Sequence, residues 1–334
     1  MRNNLNKKIF IFVFFCCFFQ FKNILAKDLN FKALEISTYE EGNIVVGNKN
    51  AEAQINGELE IFADKFTYDR KKEILIAEGK VKAFDLINNI EIQSEKISYH
   101  KIQNKIISSG KTNFLVEKKY NIDSTDVNFL IDDLIIFSDK KTKLIDNKNN
   151  KIQFSSFKYF DKTKIIKGKD IKLLDNDANT YVLNAGMLKL KDYIMLGKDI
   201  QVFLRNNSFG NKDNEPKLKG NSVYYNNDKT LITKGIFTSC SENDNCPPWV
   251  ITSKKIEHDK RKREITYKNA LLKIYNVPVM YFPKFFHPDP TVERKSGFLI
   301  PQFNNSNKLG TSLTIPYFNV ISNSADLTFK PRIF

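Results

Sequence analysis

Histidine and cysteine are scarce. The 334 residues hold three histidines, His100, His258 and His287, and four cysteines, and no HxH, HExxH or CxxC spacing joins them. Metal-assisted hydrolysis and thiol exchange need such clusters, so neither chemistry is expected. A Gly-x-Ser-x-Gly elbow and a phosphate-binding P-loop are also lacking, which removes common signatures of acyl and phosphoryl transfer. The chain reads as a non-enzyme with no cofactor. Alanine is scarce and helix start and stop signals are almost absent, which argues against a helical fold. No run of eighteen apolar residues exists, so no comfortable membrane-crossing helix is expected. Recognition-helix, zinc-finger and aromatic-basic RNA patterns are missing too, so nucleic acid is not an expected partner despite a formal charge of +15.

What is present favours strands. Phenylalanine (28) and tyrosine (13) are plentiful, and so are isoleucine and valine. The positive excess is spread along the chain and interleaved with acids, as on a solvated strand surface. Residues 1–26 read as a signal peptide: Arg2, Lys7 and Lys8 precede an apolar run over 9–19, and Ile24-Leu25-Ala26 ends on a small residue suited to cleavage. Export places Cys240 and Cys246 in an oxidising compartment. The five residues between them could bring the two sulfurs together, or each could pair farther along the chain.

Residues 27–55 read as a leader, and then a repeat begins. Asp64-Lys65-Phe66-Thr67-Tyr68, a charged turn, Ile74-Leu75-Ile76-Ala77 and Gly79-Lys80 set the pattern, which returns with Gly110-Lys111, Gly168-Lys169, Gly197-Lys198 and Gly235. The lead apolar residues are Phe66, Ile97, Val127, Phe157, Leu188, Val223 and Ile256, about 30 to 35 residues apart. Within each unit the period is two, so these are half-buried strands joined by hairpins. Units with one apolar face bury it only by stacking, which predicts one elongated, twisted β structure over 56–285 with unpaired strands at its ends. Leu59, Ile61, Phe66, Ile97, Tyr99, Val127, Phe129 and Phe157 are expected on its inner face. That face is either a filled core or a groove that takes a lipid chain.

Pro278, Pro283, Pro288, Pro290 and Pro301 crowd the stretch 278–301. Proline lacks an N–H, so this stretch is neither helix nor a fully paired central strand, and it reads as a junction over 286–297. His258-Asp259 and His287-Pro288-Asp289-Pro290 read as ordered turns, and the basic run 260–263 as a solvated turn or a phosphate patch. From 298 to 334 the alternation of Leu313, Ile315 and Tyr317, and of Leu327, Phe329 and Ile333, with polar residues suggests barrel strands facing lipid on one side.

Thr238-Ser239-Cys240, Pro248-Trp249-Val250-Ile251, Ile256-Glu257-His258-Asp259, Val277-Pro278-Val279, Tyr281-Phe282-Pro283, Arg294-Lys295-Ser296-Gly297-Phe298-Leu299-Ile300-Pro301 and Ile315-Pro316-Tyr317-Phe318 together resemble the outer-membrane lipopolysaccharide-assembly (LptD, organic-solvent-tolerance) family. The resemblance implies an all-β chain: an elongated periplasmic OstA-type β-jellyroll of stacked hairpins, then the first strands of a truncated outer-membrane β-barrel. It implies reception of lipopolysaccharide from a periplasmic bridge protein of LptA type by edge-strand addition, a plug lipoprotein of LptE type as second partner, and delivery to the outer leaflet. Pro301 and Pro316 match the prolines that weaken the lateral gate of that family's barrel. The family's long-range cysteine partners are missing downstream, so a local Cys240–Cys246 disulfide is expected. With most of a barrel missing, the sequence reads as a fragment, a truncated product or a pore-less variant. The competing reading is an OstA-type lipid bridge that never inserts.

Overall fold

The computed structural model describes residues 29–146, 149–176, 178–204, 215–226, 228–240, 248–289, 292, 294–299, 301–306 and 310–334. The expected signal peptide lies outside them. Apart from one 3-10 turn, Asp161–Thr163, the regular structure described is strand. In chain order the strands are β1 (Leu29–Lys32), β2 (Glu35–Tyr39), β3 (Ile44–Ile55), β4 (Leu59–Asp69), β5 (Ile74–Asp85), β6 (Ile90–His100), β7 (Lys105–Val116), β8 (Tyr120–Thr125), β9 (Asn128–Leu130), β10 (Ile135–Ser138), β11 (Thr142–Ile145), β12 (Lys151–Phe154), β13 (Ser156–Phe160) and β14 (Ile165–Leu174). There follow β15 (Thr180–Lys189), β16 (Ile194–Phe203), β17 (Lys217–Tyr225), β18 (Lys229–Thr238), β19 (Trp249–Asp259), β20 (Glu264–Ile274), β21 (Val277–Pro288), β22 (Gly297–Phe298), β23 (Gln302–Ser306), β24 (Gly310–Thr314), β25 (Tyr317–Val320), β26 (Asp326–Phe329) and β27 (Arg332–Ile333).

β1 to β21 form one antiparallel sheet. Residues 27–55, expected as a leader, instead supply its first strands: β1 and β2 both pair with β3, and β3 pairs with β4 along its length. At the other end, among the described residues, β21 pairs only with β20. Pro278, Pro283 and Pro288 therefore sit on an edge, where a missing N–H is tolerated.

Each long strand is bent near its middle. Lys49, Asn50, Lys80, Asp170, Asp199, Lys234 and Asn269 have φ between 45° and 63°, and Gly79 and Gly110 have φ of 81°. The registers between β3 and β7 shift at this level. Left-handed residues and bulges turn a strand without ending it, and here they align from strand to strand into a crease. The Gly-Lys pairs of the repeat mark it. The crease folds one sheet into two layers, so a strand's first half lies in one layer and its second half in the other. Between β7 and β14 the strands divide outright: β8, β11 and β12 continue one layer, and β9, β10 and β13 the other.

The crease explains the repeat length. Six of the seven lead residues open the half-strand just past the bend on alternate strands, and in β15 Gly186 holds that place, two residues before Leu188; two strands with their turns occupy about thirty residues. Phe66 and Ile97 fall on the cross-strand row Gly47↔Phe66↔Ala77↔Ile97↔Ser108, and Phe157, Val223 and Ile256 on the row Phe157↔Gly168↔Gly186↔Gly197↔Val223↔Ile232↔Ile256↔Tyr267↔Phe285. All seven lead residues are buried in one continuous core between the layers. Buried hydroxyls line part of the bend. Ser94 donates to carbonyls of Ser109 and Lys111, Ser108 to Val127, and Ser124 and Thr142 bond each other at 2.7 Å. They satisfy backbone and side-chain groups where the ladder is interrupted.

Glycine is required where the layers come nearest. A Cβ at Gly168 would lie 2.2 Å from the Phe154 ring, and one at Gly197 2.0 Å from Leu183. Filling such a contact forces backbone or rotamer shifts that cost about 1–3 kcal/mol. Gly197→Val is expected to lower stability by that amount in urea unfolding, and an unchanged midpoint would refute the close approach.

Candidate functional site

The interior between the two layers is the candidate site. Leu59 and Ile61 lie in one half of β4 and Phe66 in the other, so the crease sets them on opposing walls. Ile97 and Tyr99 come from β6, Val127 immediately precedes β9, Phe129 lies on β9 and Phe157 on β13. The fold brings all eight into one buried core. Much of the facing wall went unnamed in the sequence: Ile92, Phe114, Ile122, Leu144, Ile152 and Leu183 supply it. These residues obey the same alternation, and only the position of the bend tells which layer each one joins. The interior here is packed, with Phe114 stacked on Phe157 at 5.6 Å and 22° between ring planes.

Opposite the crease the layers are separate chains of hairpin turns, and polar clasps close this seam. The Tyr120 hydroxyl donates to Leu190 O at 3.0 Å, Asn150 Nδ2 donates to the Tyr193 hydroxyl at 2.6 Å, and Lys164 reaches Glu117 at 3.3 Å and Asp161 at 2.6 Å. Farther along, Lys260 approaches Asp175 at 4.0 Å and lies 5.2 Å over the Tyr225 ring. A cleft of about 570 Å³ opens in the seam beside the Lys164 clasp, lined by Asn88, Asn89, Glu117, Lys118, Asp161 and Lys164.

Burial disfavours ionisation of Tyr193 in the seam and of Tyr159 and Tyr99 in the core. Burial raises the Tyr193 hydroxyl, reinforced by the Asp146 carboxylate, and raises Tyr159, reinforced by Asp161. Tyr99, which donates to Asn104 at 3.0 Å, is pushed up to about 12 by burial and then by the charge of Asp132. Burial pulls the Lys164 ammonium down, but its bonds to Asp161 and Glu117 outweigh that and raise it. A raised lysine contributes stability that is complete below its ordinary value and is lost as pH rises through the folded value.

After the junction, three antiparallel strands are each broken at one level by a proline. β22 and β23 flank Pro301, β24 and β25 flank Pro316, and β26 and β27 flank Pro331. The near-continuous ten-residue strands expected from the alternation are thus six short ones, in two three-stranded sheets on either side of the prolines, β22-β25-β26 and β23-β24-β27. Only two bonds are described at the break, Leu299 N–H to Pro316 O at 2.8 Å and Ile315 N–H to Pro331 O at 3.2 Å. Pro331 was missed in the sequence, although the spacing of fifteen residues between Pro301 and Pro316 points to it. Phe298, Phe303, Leu327, Phe329 and Ile333 are exposed. Cys240 is half-buried, with Sγ 4.0 Å from Trp249 O, while Cys246, and with it the expected disulfide, lies outside the described residues.

Comparison with known proteins adds the following. No family model matches the chain. It is 37% identical over 101 residues to the LPS-assembly protein LptD of Shewanella frigidimarina, which covers 30% of this chain and 13% of that protein. It is 34% identical over 110 residues to LptD of Ralstonia nicotianae, covering 33% and 13%, and 34% identical over 116 residues to LptD of Yersinia enterocolitica, covering 35% and 14%. The match thus spans a small part of these relatives' length. Among solved structures it is similar to LptH, the LptA-homologous periplasmic component of the lipopolysaccharide transport device of Pseudomonas aeruginosa, at 12% identity and a TM-score of 0.30, over 33% of this chain and 80% of that one. The sequence likeness to LptD proteins is established over about a third of the chain.

The seam yields a stability test. Tyr193→Phe removes the acceptor of the Asn150 bond inside the closed seam and should cost about 1–2 kcal/mol in urea unfolding; no loss would mean that the layers are not held there.

Proposed function

We propose that the chain takes lipopolysaccharide into the space between its two layers and passes it outward to the outer leaflet of the outer membrane. The observation that carries this reading is the sequence likeness to LPS-assembly proteins in a chain whose hairpins enclose one long apolar interior. The physics supports it. Each methylene moved from water into such an interior gains about 0.8 kcal/mol, so an acyl chain can replace side-chain contacts when the seam parts. The crease stays as the spine while the seam opens.

The reading gives each end of the sheet a task. Among the described residues β1 and β2 pair with β3 alone, and their outer edge would take a strand of a periplasmic LptA-like bridge by β-augmentation. At the other end the proline-broken strands begin a wall in the outer membrane, with exposed Phe298, Phe303 and Phe329 toward lipid. Pro301 and Pro316, and Pro331 with them, keep that wall weakly zipped so that lipid leaves sideways. An LptE-like lipoprotein would plug the completed barrel. The long sheet lies in the periplasm, no covalent step is needed, and the work comes from outside the chain.

A photocrosslinking residue in place of Ile61, Ile97 or Val127 is expected to give lipopolysaccharide adducts in cells. Adducts from none of the three, with the protein folded and exported, would defeat the proposal.

A further inference from the structure

Between the long sheet and the proline-broken strands the chain passes through Arg294-Lys295-Ser296, and its side chains part in opposite directions. Lys295 reaches back: Nζ donates to Glu264 Oε2 at 2.8 Å, at the start of β20, and lies 5.6 Å over the Phe286 ring of β21. Arg294 and Ser296 reach forward. The Arg294 guanidinium donates to Asn323 O at 2.7 Å and pairs with Asp326 at the head of β26. Ser296 Oγ donates to Asn319 Oδ1 at 3.2 Å and accepts the N–H of Val320 at 2.8 Å, both in β25.

The exit from β21 is fastened as well. The Asp289 N–H donates to Arg263 O at 3.0 Å, and its buried carboxylate meets His258 Nε2 at 3.1 Å. His258 and His287 flank Ile265 in one cross-strand row, and His287 donates Nδ1–H to Pro288 O at 2.7 Å while Nε2 accepts the Tyr267 hydroxyl at 2.9 Å. His258 and His287, expected in turns, lie instead in β19 and β21, and the bond between His258 and Asp289, 31 residues apart, makes the ends of these strands one latch. A loose linker would use solvated side chains. Here alternate residues of a three-residue segment are committed to different bodies, and half-burial of Lys295 and Glu264 keeps their bond from being fully screened.

We infer that Arg294-Lys295-Ser296 is a two-sided coupler, held in line by the His258–Asp289 latch, which makes the position of the opening strands β25 and β26 depend on the last strands of the long sheet. Its residues are positioning residues: they touch no cargo and transmit displacement between the two bodies. Burial pushes the Glu264 carboxyl up, yet the Lys295 bond holds it below its ordinary range, so the coupler persists at neutral pH and weakens as acid protonates Glu264.

Hydrogen exchange on the full chain in detergent micelles tests this without lipid, so its outcome is independent of the crosslinking result. Lys295→Met keeps the aliphatic stem and breaks only the contact with the sheet; exchange should accelerate about fivefold or more in 317–320 and 326–329. Asp326→Asn removes only the forward ion pair, leaving the Arg294 bond to Asn323 O and the Ser296 bonds in place, and the acceleration should appear in 264–268 and 284–288. Lys295→Arg should restore the original protection. Changes confined to the side on which each substitution was made would overturn the coupler, as would a general loss of protection that extends into β14 to β18.

Discussion

The whole chain depends on one compromise between backbone pairing and burial. A strand with one apolar face must hide that face, and a flat sheet of this length would leave it wet. Bending every long strand at the same level lets the sheet cover itself while nearly every backbone group keeps its neighbour. Left-handed residues at Lys80, Asp170, Asp199 and Asn269 supply the bend, glycines at 168 and 197 give the facing layer room, and serine and threonine hydroxyls close the gaps in the ladder. The two layers, the interior and the seam all follow from that alignment.

This explains what could be read from the residues alone. The period-two alternation and the spacing of Phe66, Ile97, Val127 and the other lead residues are local properties, and they revealed strands, hairpins and the inward face. The eight residues picked for that face are all buried together. The bend was harder to see: the Gly-Lys pairs lie at it, but the alternation within one strand does not tell that the left-handed residues beside them line up across the sheet. Hence Leu59 and Phe66 read as one face, though they stand on opposing walls. The leader over 27–55 was separated from the sheet because its alternation is weak, yet pairing with β4 recruits β3. Pro301 and Pro316 were singled out from family likeness, whereas Pro331, though it continues their spacing of fifteen residues, was passed over until three broken strands lay side by side.

The two parts of the chain use proline and polar residues in different ways. In the long sheet polar groups gather at the bend and the seam, so the interior is bounded by hydrogen bonds on two sides and stays apolar between them. In the last strands the prolines remove bonds at a common level, and the exposed aromatics lie on either side of the break. One body is built to close around its own core and the other to remain incompletely joined. Among the described residues the Lys295 and Arg294 contacts link them.

The run Gly168, Gly186, Gly197 lies in register across three consecutive strands. Phe154, Ile171 and Leu183 reach across the bend into the space that side chains at 168, 186 and 197 would occupy. A larger residue at any of the three would be felt in both layers at once, because the strand half that carries it and the strand half that fills it belong to different layers.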